Sequence, residues 1–294
     1  MGLFFSSDRF TRPGPGVRPD APRKKGVARL AEIMGRDMWN FFRAGFLAFL
    51  GCLPFIIGMF FAVEAHALLF MLLAGIIGGL IAGPELSAMA DTVLRSLRDE
   101  PGYWWETYRR VWKRNARESL VPGMLTGLVL SMQIFTLFHM SVISAGIVTW
   151  VLLILSFVIT LGLESYIWPQ IALLDLPLYG ILKNSLLLFL GYLPRSLGAI
   201  AIKAVYWGAI LLFFPLTTII LPFTNFWLPM LPALLCIYQP LNKCFTIEST
   251  INKMREDELN AALAKDNEPL PEAPTEKAEE STESTSNDSA SDVP

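Results

Sequence analysis

Ionisable side chains set against long apolar runs are the residues of this chain best placed to do chemistry, because a charge in hydrocarbon is costly unless it serves a purpose. Glu85, Asp91, Glu164, Asp175 and Lys203 fit that description. Each is expected near one end of an apolar run, where hydration or snorkelling removes most of the cost. Glu85, directly after Gly83-Pro84, is the candidate polar site among them. The chain's two histidines, His66 and His139, come without carboxylate or thiolate at metal-ligand spacing, so no metal site is expected. Cys52, Cys236 and Cys244 form no CxxC pair and read as small helix-packing residues. There is no GxxxxGK[ST], no HExxH, no calcium-loop pattern and no GxSxG. No catalytic residue and no cofactor follow from the sequence.

The elements that must position these groups are membrane helices. Hydrophobic residues make up 53% of the 294 and charged residues only 17%, against about 25% charged in soluble domains. Several uncharged runs reach the ~20 residues that a helix needs to cross hydrocarbon. The ~10-residue alternating strands of a membrane barrel are absent. The fold class is all-α, a polytopic helical membrane protein with about six transmembrane helices in three hairpins. The spans are predicted at about 44–63, 65–84, 120–140, 141–163, 204–221 and 226–245. Pro54 lies inside the first, and Pro229, Pro232 and Pro240 break the last.

Four regions surround or interrupt that framework. Residues 1–43 form a basic Pro/Gly/Arg-rich region, irregular because of segments such as TRPGPGVRPDAPRKK. The transmembrane domain occupies 44–250, with interfacial helices near 101–118 and 178–193; the run at 186–193 is too short to span. A short charged helix is expected at 251–266. Residues 267–294, acidic and without aromatics, are expected to stay disordered because they bury too little to offset chain entropy.

Two surfaces are candidates for contacts. Gly75, Gly79, Gly83 and Ser87 recur every four residues, which stacks small side chains on one helix face for close helix packing. The expected neighbour is the first span, where Ala44, Ala48 and Cys52 share the spacing; homodimerisation is the alternative use. Trp104, Trp105, Arg110, Lys113, Arg114 and Arg117 put aromatic rings and cations on one interfacial helix, a candidate docking surface for a partner or for anionic lipid.

Charge gives the orientation. From Glu256 onward twelve acidic residues face two basic ones, so a basic membrane body carries an acidic tail. With no groove-reading motif, nucleic acid is not an expected partner. Cationic residues crowd the long connections, seven of them between Arg95 and Arg117, while the short connections at 64–66, near 140 and at 222–225 carry no Lys or Arg. Cation-rich loops stay inside, so both termini and residues 95–117 are expected in the cytoplasm of a multi-pass cell-membrane protein.

The helix ADTVLRSLRDE after the Gly83-Pro84 break, the turn Pro101-Gly102-Tyr103 and the helix WWETYRRVWKRN resemble the central segment of the YesL-like bacterial membrane proteins. The opening MGLFF and the stretch LDLPLYGILKNSLLLFL are similar to that family too. The likeness covers most of residues 40–250; the Pro/Arg-rich stretch near 12–25 and the acidic tail depart from it. The resemblance implies a non-enzymatic integral membrane protein, an accessory or regulatory component of carbohydrate uptake, with sugar-transporter subunits as partners. It carries over no active-site residue. The alternative function is a small-solute transporter or channel in its own right, since carriers are built on broken helices around a midplane site.

Overall fold

The computed structural model describes residues 23–100, 102–142 and 146–266, and every regular element among them is an α-helix. The helices are α1 (Gly26–Glu64), α2 (Leu68–Arg98), α3 (Trp104–Phe138), α4 (Ile147–Leu173), α5 (Leu178–Gly191), α6 (Leu193–Leu212), α7 (Thr217–Thr224), α8 (Trp227–Phe245) and α9 (Ile247–Asp266). The protein is an all-α polytopic membrane protein. Five helices, α1 to α4 and α6, are long and apolar enough to cross a membrane by length and composition. Large apolar side chains such as Phe60, Leu69, Leu152 and Ile154 stay exposed along them, as a hydrocarbon solvent allows.

Several expected boundaries move. The first helix starts at Gly26 rather than near residue 44: no proline falls between Gly26 and Arg43, and Ile33 and Phe41 bury a face. The helix expected at 101–118 is not separate from the third span; both belong to α3, 35 residues long. Pro122-Gly123 does not break it. Thr126 donates to the Pro122 carbonyl (2.8 Å), and Gly123 is held against α2, so local repair and packing outweigh the proline. The fifth crossing helix is α6, which begins at Leu193-Pro194 and not at Ala204. Proline in the first turn starts a helix at little cost, because the N–H it lacks would have no partner there. Leu178–Gly191 is a short apolar helix, close to the 178–193 expected. The expected sixth span is present as α8 with nearly the expected limits, but its internal Pro232 and Pro240 and its polar residues leave it outside the five. The acidic tail, 267–294, lies outside the described residues, as do residues 1–22. The chain divides at Ser249, and the part beyond holds most of α9, a polar helix.

The first three helices form an antiparallel sheaf with two different ends. At one end α1 and α2 join through a tight turn at Ala65–Ala67, and α3 ends beside it. At the other, α2 stops at Arg98 and three arginines gather on its terminus. Arg29 donates from Nη2 to the Leu97 carbonyl (3.1 Å) and to Asp99 Oδ2 (2.6 Å). Arg36 donates to the Ser96 carbonyl (2.8 Å) and to Asp99, and Arg23 to the Arg98 carbonyl (3.1 Å). Cations there satisfy carbonyls that no helical N–H reaches and oppose the negative end of the helix dipole.

Candidate functional site

The small-residue stripe is real in space but faces the third span, not the first. A Cβ on Gly79 would fall on the Gly123 carbonyl, one on Gly75 on Ser131, and one on Gly83 on the Ser119 carbonyl. Ser87 is fully buried and donates to the Pro84 carbonyl (2.9 Å). The complementary stripe on α3, Ser119, Gly123, Gly127 and Ser131, has the same four-residue spacing, a signal that the expectation of the first span passed over. Packing of α2 on α1 uses the neighbouring face: a Cβ on Gly78 would lie 2.5 Å from Phe55 Cβ, and one on Gly58 2.7 Å from Ala74 Cβ. Two sets of small residues thus let α2 approach both neighbours closely.

Glu85 sits beside this contact. Tyr108 donates to one carboxylate oxygen and Trp112 Nε1 to the other (2.9 Å), so two neutral donors from α3 hold it. Its stem lies against Gly51, where a Cβ would come 2.7 Å from Glu85 Cγ. The group is a buttress between α1, α2 and α3 and lines neither of the two cavities described below. Asp91, fully enclosed, pairs with Arg95 (2.6 Å) one turn on.

The docking set is divided by the fold. Trp104 is half-buried, with the Arg43 guanidinium 5.6 Å from its ring centroid and Tyr108 stacked obliquely beside it. Arg114 donates to the Ala172 carbonyl (2.8 Å), tying α3 to the end of α4. Arg110 pairs with Glu106 (3.1 Å) at a fully hydrated edge. Trp105, Lys113 and Arg117 remain exposed and face outward.

Where α2 and α3 leave their contact, the bundle opens into a cavity of about 410 Å³. Its wall comes from seven helices: Phe49, Cys52 and Phe55 on α1, Gly78 to Met89 on α2, Gly123 to Phe138 on α3, Phe157 to Trp168 on α4, Lys203 to Leu211 on α6, Leu221 on α7, and Pro229 and Met230 on α8, with Phe226 completing it. The lining is almost wholly apolar and aromatic. Among the described residues, Glu164 and Lys203 are the only acidic or basic side chains that line it. Both lie within a helix, not at its end. Glu164 is nine residues before the end of α4 and shares the cavity wall with Gly79, Gly123 and Gly127, at the middle of the α2–α3 contact. Lys203 is midway along α6 and only 8% exposed, so it does not reach out to the interface. The placements differ because α6 starts eleven residues early and carries Lys203 inward.

Glu164 accepts one long bond from Trp168 Nε1 (3.4 Å) on the next turn. Among the described residues no ion pair joins Lys203 to a carboxylate, although Glu164 lines the same cavity. The cavity wall therefore presents a carboxyl group and an amine, not paired with each other, to an otherwise hydrocarbon space. Water does poorly in such a space, since it needs two to four polar partners and finds them only near Glu164 and Lys203. The wall beside them is also broken: α6 ends at Leu212, α7 is eight residues long, and Asn225 turns at φ 20° into α8.

A second, polar cleft of about 280 Å³ lies among the arginines at the end of α2, between Arg36, Asp37, Arg95, Asp99, Glu100 and Trp104. Its charges are mixed and mostly spent on one another. Among the described residues no three His, Cys, Asp or Glu side chains gather as metal ligands. No protein-family model, no curated protein and no solved structure matches this chain.

Proposed function

We propose that this chain is a non-enzymatic membrane protein that binds a small amphipathic molecule inside its helix bundle. The observation that carries the reading is the apolar cavity in which, among the described residues, Glu164 and Lys203 are the only acidic or basic side chains. Intramembrane ionisable groups mark ligand or ion pathways, and a mainly apolar pocket with few converging polar groups is the common form of a ligand site. Apolar substance fills the volume while a small polar head meets the ammonium and the carboxylate. The test is thermal stabilisation of the detergent-purified chain by a long-chain fatty acid, a long-chain amine and a long-chain alcohol. The fatty acid is expected to raise the melting temperature, and Lys203→Met to abolish that rise while sparing the response to the alcohol. No response to any of the three, or responses indifferent to Lys203→Met and Glu164→Gln, overturns the reading.

A carrier reading is favoured by one further observation, the succession of broken helices α6, α7 and α8 in the cavity wall. Flux of labelled solute into vesicles containing the purified protein separates carrying from binding. The role beside a carbohydrate-uptake system rests on the resemblance alone. Trp105, Lys113 and Arg117 form the face such subunits would meet, and crosslinking from these positions in native membranes tests it. We also place the arginine-rich end in the cytoplasm of the cell membrane, on the cation rule.

A further inference from the structure

The chain has two histidines, 73 residues apart, and the fold brings them together. His66 occupies the turn between α1 and α2, and His139 follows the last residue of α3, so the pair lies at the end of the sheaf opposite the arginines. His66 Nδ1 is 2.6 Å from His139 Nε2, with the rings nearly perpendicular at 82°. His139 is buried and stacked on Phe135 at 4.0 Å, while His66 is exposed.

Two features prepare this pair for more than a hydrogen bond. First, His139 Nδ1 is 2.8 Å from the Phe135 carbonyl. A carbonyl only accepts, so Nδ1 carries the proton and Nε2 keeps its lone pair, aimed at His66. Metal-binding histidines are oriented in this way, one ring nitrogen donating to a carbonyl and the other left to coordinate. Second, His66 has φ 49°. The Ala67 N–H bonds the Ala62 carbonyl (3.1 Å) and the His66 N–H bonds that of Val63 (3.3 Å), which closes α1 at a position usually given to glycine. A histidine in that left-handed position carries a backbone cost that glycine avoids, and its imidazole is what the cost retains.

We propose that His66 Nδ1 and His139 Nε2 form a two-imidazole site for a divalent late transition-metal ion such as copper or zinc. Imidazole nitrogen suits both ions. Two nitrogens on a tetrahedral zinc stand about 3.3 Å apart for bonds of ~2.05 Å. The pair therefore opens by less than an ångström, within reach of a turn residue whose side chain is free to solvent. No proton is lost: His66 moves its own from Nδ1 to Nε2, His139 keeps Nδ1–H, and water completes the shell. The site is independent of the cavity. It links the α1–α2 turn to the end of α3.

The experiment uses the full chain with a histidine-free affinity tag, stripped with chelator. Cys236 and Cys244 are replaced by alanine because those thiols are not buried. Copper(II) titration followed by pulsed EPR is expected to show one ion per chain coupled to two imidazole nitrogens. His66→Ala, in an exposed turn, and His139→Ala should each weaken binding at least tenfold, and zinc should compete. Zinc should also raise the melting temperature of the parent chain but not that of His66→Ala. Copper spectra unchanged in His66→Ala, coupling to a single imidazole, or no stoichiometric binding overturns the site and leaves a hydrogen bond that closes the two turns.

Discussion

Single side chains decide how closely α2 can lie against its neighbours, and the first prediction belongs to that scale. Gly79→Leu inserts a side chain where the Gly123 carbonyl already sits. Overpacking of this kind costs roughly 1–3 kcal/mol, and leucine recovers nothing from burial because the surroundings were hydrocarbon already. Gly208 in α6 has no atom within 4 Å of where its Cβ would be. Gly208→Leu is expected to leave the detergent melting temperature unchanged while Gly79→Leu lowers it clearly; equal losses would place the stripe outside a helix contact. Gly58 is no neutral control, since its Cβ would meet Ala74. The same spacing rule that exposed one stripe in the sequence could not choose between two matching partners, because both α1 and α3 carry small residues four apart. Glu164 and Lys203 were harder still. Their depth depends on where α4 and α6 begin and end, and apolar runs with few polar marks leave those limits open by several residues.

At the scale of the element, the end of α2 is held by groups far away in sequence. Asp99 takes the left-handed conformation at φ 59°, and its carboxylate receives Arg29, Arg36 and Arg23. Partial burial would raise its pKa, but the hydrogen bonds and charges of Arg36 and Arg29 prevail and hold it below the ordinary 3.8. A carboxylate depressed in the folded state contributes stability in full above its unfolded pKa, and loses it as the pH falls through the folded one. Asp99→Asn is therefore expected to lower the melting temperature at pH 7, and the gap from the parent should close as the pH drops below about 4. A gap constant from pH 7 to 3 would show that the charge does not matter. The composition alone assigned these arginines to orientation in the membrane. Their partners at the end of α2 lie 60 to 76 positions on, and no local pattern reveals such a distant cap. Pro122-Gly123 shows the opposite case: a pair that breaks helices in isolation is overruled once Gly123 packs on Gly79.

For the whole molecule, the helix class was legible from uncharged runs alone, and five helices have the length and composition to cross. Orientation is open to a direct test. Cysteines in place of Asp8, Glu106 and Glu280, each alone in a chain otherwise free of cysteine, should resist an impermeant thiol reagent in intact cells. A cysteine at Val142, 70% exposed at the histidine end, should react. Labelling at 106 but not at 142 would invert the arrangement.

The long helices spend their extra length at one end. At about 1.5 Å per residue, the 39 residues of α1 and the 35 of α3 reach well beyond the ~30 Å of a hydrocarbon core. The turn at Ala65–Ala67 is short, so the excess is expected to emerge where the arginines are. Each rod is helical without interruption from Arg29 to Phe55, or from Trp105 to Leu137. A continuous helix works as a lever: a sideways push on its outer arm is expected to appear, reversed or reduced, at its inner arm. Phe49 to Phe55 and Gly123 to Phe138 on the inner arms are cavity wall. A body that leans on the outer arms is therefore expected to change the bore of the space lined by Glu164 and Lys203.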